Sequence, residues 1–140
     1  MKNLTFCILS LGLITLSLGC SLANGPELVQ QKKDIHFFVK QATRIALHET
    51  QASDHDLTVL KSYIEAAQSL LQEAGPDISQ LKELIVNALP EKYHLVALTV
   101  IDVIERYALS VLENPDDNQV ALNQLILSGL EGAMSALNEH

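Results

Sequence analysis

Residues 95–113 read LVALTVIDVIERYALSVLE. Between Leu95 and Ile104 the only polar side chains are Thr99 and Asp102. Thr99, Asp102, Arg106, Ser110 and Glu113 recur at intervals of three and four, so a helix would gather them into one narrow polar stripe. The rest of its circumference is apolar. A helix of this kind is expected from about Glu91 to Glu113, and its wide apolar arc predicts the central helix of a bundle. It is not expected to cross a membrane, because Asp102, Glu105 and Arg106 would lie within the span at considerable cost.

Working outward, four further segments carry the same period. Glu27 to Gln51 places Ile35, Phe38, Val39, Ala42, Ile45 and Ala46 on one face, with Lys32, Lys33, Lys40 and Arg44 mainly off it. Ser53-Asp54-His55-Asp56 forms a turn, with Ser53 or Asp54 as N-cap. Asp56 to Ala74 carries Leu57, Leu60, Ile64, Ala67 and Leu71 as one stripe, with Val59, Tyr63, Ala66 and Leu70 as a second beside it. Gly75-Pro76 stops that helix. Ile78 to Leu89 makes a short helix with Ile78, Leu81, Leu84, Ile85 and Ala88 on one face, and Asp77 and Gln80 at capping-box spacing. Pro90 is expected at the first position of the helix that follows. Asn114-Pro115-Asp116-Asp117 reads as another start, with Asn114 as cap, Pro115 first, and two acids facing the positive end of the dipole. The last helix should run to about Leu137 with Leu122, Leu125, Ile126, Gly129, Ala133 and Leu137 sharing a face.

The expected fold is therefore all-α, a small bundle of about five antiparallel helices joined by short loops. Abundant unbranched side chains and the absence of Trp agree with helix over sheet. No internal repeat, low-complexity tract or inter-domain linker is evident.

The first twenty residues are of a different kind: MKNLTFCILSLGLITLSLGC. Lys2 precedes an uncharged run from Phe6 to Leu18, too short to span a bilayer comfortably and of the length of a signal-peptide apolar region. Leu16-Ser17-Leu18-Gly19-Cys20 then resembles the bacterial lipobox. That resemblance implies cleavage between Gly19 and Cys20, a diacylglycerol on the Cys20 thiol, and a further acyl chain of the palmitate class on its amine. Ser17 departs from the commonest pattern, which has Leu three residues before the cysteine; here Leu16 lies one place further back. The resemblance divides the chain into a signal peptide at 1–19, an acylated cysteine and tether at 20–30, and a helical domain at 31–140. Ser21, not Asp, follows the cysteine, which by likeness to Gram-negative sorting implies the periplasmic face of the outer membrane. Ser21-Leu22-Ala23 also fits ordinary signal peptidase, and cleavage after Ala23 would release a soluble or secreted protein; an uncleaved anchor is a third option.

Charge and cysteine usage bound the function. The formal charge is −8, and removal of Lys2 with the leader leaves 8 basic against 17 acidic side chains. This argues against nucleic-acid binding, which needs Lys and Arg to displace counterions, and equally against attraction to anionic lipid surfaces. Cys7 and Cys20 are the only cysteines, so no disulfide survives processing and packing alone must stabilise the domain.

Candidate sites are sparse. His48, Glu49, Asp54, His55 and Asp56 are dense in metal-ligand types, yet no second His lies four residues from His48 and no Cys supports them. Asp102 and Arg106 have the spacing of a surface ion pair. Tyr63, Tyr93, His94 and Tyr107 have the chemistry to line a pocket, but such amphipathic aromatics usually bury their rings and wet their polar ends. Ser128, Gly129, Gly132, Ala133 and Ala136 form a small-residue patch to which another helix could come close; the internal helices are favoured for that role, and Ser128, Gly129, Gly132 and Ala133 are also the candidate partner surface. From Tyr107 onward there are five acids and no Lys or Arg, a docking surface for a basic partner or simply a solvated face. No catalytic signature, metal site or cofactor site is expected.

The function class expected is a membrane-anchored, protein-binding adaptor or assembly factor of the cell envelope, in which anchoring makes a modest contact effective. Type II secretion pilotins resemble this description in architecture, as small helical lipoproteins that carry a secretin subunit. No motif is shared, and the disulfide pair of some pilotins is missing. The alternatives are a carrier of a small apolar ligand within the bundle, and a phage- or mobile-element-encoded lipoprotein that modulates envelope events.

Overall fold

The computed structural model describes residues 25–75 and 77–140. The leader, including Gly19, Cys20 and Ala23, lies outside the described residues. The architecture is all-α, with five helices in a small bundle: α1 Pro26–Thr50, α2 Asp54–Ala74, α3 Ile78–Ala88, α4 His94–Val111 and α5 Gln119–Glu139. Single 3-10 turns, Glu91–Tyr93 and Pro115–Asp117, lead into α4 and α5.

The helix ends follow local chemistry. Gly25 is extended and Pro26 takes the first position of α1, where its missing N–H costs nothing. α1 is helical from Pro26, and Leu28 is already buried. At the other end Gln51 adopts a left-handed conformation, φ 50° and ψ 49°. Its N–H donates to the His48 carbonyl and that of Ala52 to the Leu47 carbonyl, the two bonds of a Schellman motif built without glycine. Ser53 caps α2 reciprocally: its Oγ accepts from the Asp56 N–H, and Asp56 Oδ2 accepts from the Ser53 N–H at 2.9 Å. Gly75, at φ 83°, closes α2. Asp77 Oδ1 accepts from the N–H groups of Ser79 and Gln80 at the start of α3.

Two expected starts are displaced. Pro90 precedes a 3-10 turn instead of occupying the first position of α4, and the His94 ring nitrogen Nε2 lies 2.8 Å from the Leu89 carbonyl across that turn. Asn114 makes no side-chain cap; Pro115–Asp117 form a 3-10 turn, and α5 begins at Gln119. In both places the proline sets φ for the first turn but the chain tightens before the α-helix opens.

The centre of the bundle is α5, not α4. It packs against α1, α2 and α4, and buries Leu122, Leu125, Ile126, Leu130, Ala133 and Leu137. By length and composition α5 could cross a membrane, yet 61% of its most apolar window is buried inside the protein. α4 is more apolar in sequence but leaves Leu95 and Leu109 exposed. Small residues decide the difference. A Cβ on Gly132 would stand 3.0 Å from the His36 carbonyl carbon, with the carbonyl oxygen closer still, and one on Gly129 would stand 2.5 Å from Ile104 Cγ1. The two glycines let the backbone of α1 and the side chains of α4 approach to contact.

The α2 stripe Leu57, Leu60, Ile64, Ala67 and Leu71 is buried as expected, and Tyr63 joins it from the second stripe. Leu81 and Ile85 seat α3. On α1 the inward face is rotated from the expected one. Ile35, Val39, Thr43, Ala46 and Leu47 are buried, whereas Phe38 and Ile45 are 49% and 60% exposed. Close contact with α5 selects the side of α1 that carries Thr43 and Ala46, and the larger Phe38 and Ile45 are turned outward.

Candidate functional site

The residues singled out by sequence are dispersed into structural roles. Among the metal-ligand types of the first turn, His48, Glu49, Asp54 and His55 are exposed, and Asp56 is committed to the α2 cap. Its Oδ1 also accepts from the Tyr93 hydroxyl at 2.8 Å and from Lys92 Nζ at 2.9 Å. These bonds, led by that from the Ser53 N–H, hold the Asp56 carboxyl well below the usual carboxylate range. Among the described residues, no three or more His, Cys, Asp or Glu side chains are grouped to hold a metal ion.

The four amphipathic aromatics do not share a pocket. Tyr63 is buried and donates to the Leu81 carbonyl at 3.3 Å, tying α2 to α3; burial raises its phenol above the ordinary range. Tyr93 serves Asp56, and His94 serves the Leu89 carbonyl. Tyr107 stands on α4 beside Phe38 of α1, with ring centres 5.9 Å apart. Burial, then the neighbouring Asp34 carboxylate, raises its phenol.

Asp102 does not pair with Arg106. Lys82 on α3 lies 3.1 Å from Asp102 Oδ1 and also bridges to Glu105, so the ion pairs tie α3 to α4. That bond to Glu105, followed by the one to Asp102, raises the Lys82 ammonium.

The small patch Ser128, Gly129, Gly132 and Ala133 is buried. The space that a partner helix would need is filled by α1 and α4. Of the four, Ser128 borders an open groove of about 400 Å³ between α1 and α5, along with Lys32, Lys33 and His36.

A larger open groove, about 570 Å³, lies where the end of α2, the start of α3, the second half of α4 and the start of α5 meet. Asp77, Glu105 and Asp116 line it with Ile78, Leu109 and Leu122, and no Lys or Arg does. Leu109 is 61% exposed. Gly75 and Asp77 border the opening on one side, and Pro115 and Asp116 of the 3-10 turn Pro115–Asp117 border it on the other. The acid bias after Tyr107 was legible in sequence. Only Asp116 of those acids lines the groove, and its junction with Asp77 and Leu109 was not legible, because these residues come from separate helix ends.

No protein-family model, curated protein or solved structure matches this chain.

Proposed function

We propose that this chain is a lipid-anchored, protein-binding adaptor of the cell envelope, held through Cys20 at the periplasmic face of the outer membrane. The observation that carries the binding role is the groove of Asp77, Glu105 and Asp116 around Ile78, Leu109 and Leu122. An acidic rim over an apolar floor fits a basic amphipathic segment, which would lay its apolar side on Leu109 and its Lys or Arg against the carboxylates. The reading is of binding, and Asp56, Tyr93 and His94 are engaged in capping and turn contacts. The tether would add local concentration to a contact of moderate intrinsic strength.

The test is site-specific photocrosslinking in cells from Leu109, with Val86 on α3 as the comparison position. The adaptor role predicts one dominant protein adduct from Leu109 that is lost in an Asp116→Lys variant and weakens with added salt. Identical adduct patterns from Leu109 and Val86 would contradict it.

A further inference from the structure

α1 carries an outward face that the bundle does not use. Phe37, Phe38 and Ile45 are exposed large apolar side chains on this one helix. Phe37 and Phe38 meet edge to face with ring centres 6.0 Å apart, and Phe38 leans on Tyr107. Phe38, Gln41 and Ile45 recur at three and four and form one line; Lys33, Phe37, Lys40 and Arg44 form the adjacent line. Aromatic and aliphatic side chains thus run beside a row of basic ones. Lys40 pairs with Glu139 and Arg44 lies 4.0 Å from it, while Lys33 and Arg44 remain exposed.

This face is close in sequence to the proposed anchor. Six residue steps separate Cys20 from Pro26, at most about 20 Å of chain even when fully extended. Phe38 is twelve residues further, about 18 Å along the helix axis. A lipid on Cys20 would therefore keep the first half of α1 within reach of the headgroup layer. The basic side chains point the same way: of the eight Lys and Arg residues after the leader, Lys32, Lys33, Lys40 and Arg44 lie on α1, beside the acids Glu27, Asp34 and Glu49 of the same helix.

We infer that α1 lies along the membrane surface, with Phe37, Phe38 and Ile45 seated in the headgroup region and Lys33 and Arg44 facing lipid phosphates. Rings at the level of the headgroups, flanked by basic side chains, are the ordinary chemistry of an interfacial helix. This placement rests on the lipid-anchor reading, and it leaves the groove open for a partner.

The full-length acylated protein, purified from membranes and placed in phosphatidylethanolamine–phosphatidylglycerol vesicles with brominated acyl chains, supplies the test. The chain contains no Trp, so Phe38→Trp, Ile45→Trp and, as comparison on α3, Val86→Trp each introduce a single reporter. Indole fluorescence from Phe38→Trp and Ile45→Trp should be quenched several-fold more strongly than that from Val86→Trp. Uniform quenching, or none, in protein that carries its acyl mass and floats with the vesicles would overturn the placement of α1 while leaving the anchor intact. Protein from membranes without acyl mass would overturn the anchor reading, and the placement with it.

Discussion

The Tyr93 hydroxyl donates to Asp56 Oδ1 at 2.8 Å, and Asp56 is the same carboxylate that closes the cap of α2 through the Ser53 N–H. One side chain therefore ends a loop, starts a helix and clasps the turn before α4. Lys92 adds a charge to the same oxygen from a more exposed position.

Removing the Tyr93 hydroxyl as Tyr93→Phe keeps the buried ring and deletes one bond to a charged acceptor. The expected loss is about 1–2 kcal/mol. Ser53→Ala should cost about 1 kcal/mol through the cap itself. Urea unfolding measures both. A Tyr93→Phe variant as stable as the parent would show that the clasp contributes nothing.

The same carboxylate sets a pH dependence. Its native pKa is depressed while the unfolded chain takes up the proton near about 3.9, so its contribution is present above that value and is lost as pH falls below it. Unfolding midpoints at pH 7 and pH 3 should differ more for the parent than for Asp56→Asn. An equal drop in both proteins would contradict this.

The two glycines of α5 should respond unequally to a methyl group. Alanine raises helix propensity by about 1 kcal/mol, but at Gly132 the methyl meets the rigid backbone of α1 at His36. Gly132→Ala should cost about 2–3 kcal/mol net, in the range of overpacked cores. At Gly129 the obstacle is the Ile104 side chain and not backbone, and the cost should be smaller. Thermal unfolding of the two variants gives the order directly; a more stable Gly132→Ala would contradict the close approach.

Gln51 holds a left-handed conformation at the end of α1 with φ 50°. Glycine adopts it without the Cβ penalty, although it also gains freedom in the unfolded chain. Gln51→Gly should stabilise by about 0.5–1 kcal/mol, whereas Gln51→Val should destabilise. Calorimetry of the pair tests the motif.

Much of the fold was legible because local periodicity carries it. The stripe from Leu57 to Leu71 and the face from Leu122 to Leu137 are buried as their spacing implies. What spacing does not contain is the choice between adjacent apolar faces. Phe38 and Ile45 satisfy the helical period as well as Thr43 and Leu47 do, and only the approach of Gly132 to His36 selects the latter. The same approach makes α5 central, although α4 has the longer apolar run. At the candidate site, the acids after Tyr107 were visible as a bias. Of these only Asp116 lines the groove, and its meeting with Asp77 and Leu109 depends on helix ends distant in sequence. Asp56 stands among metal-ligand types in the chain, yet besides Ser53 its partners are Lys92 and Tyr93, 36 and 37 residues away.

Intact mass of the protein recovered from the membrane and soluble fractions of its native cells tests the central claim most directly. The account predicts a chain beginning at Cys20 with the added mass of a diacylglycerol and a further acyl group. An unmodified chain beginning at Asn24, released by cleavage after Ala23, would contradict it.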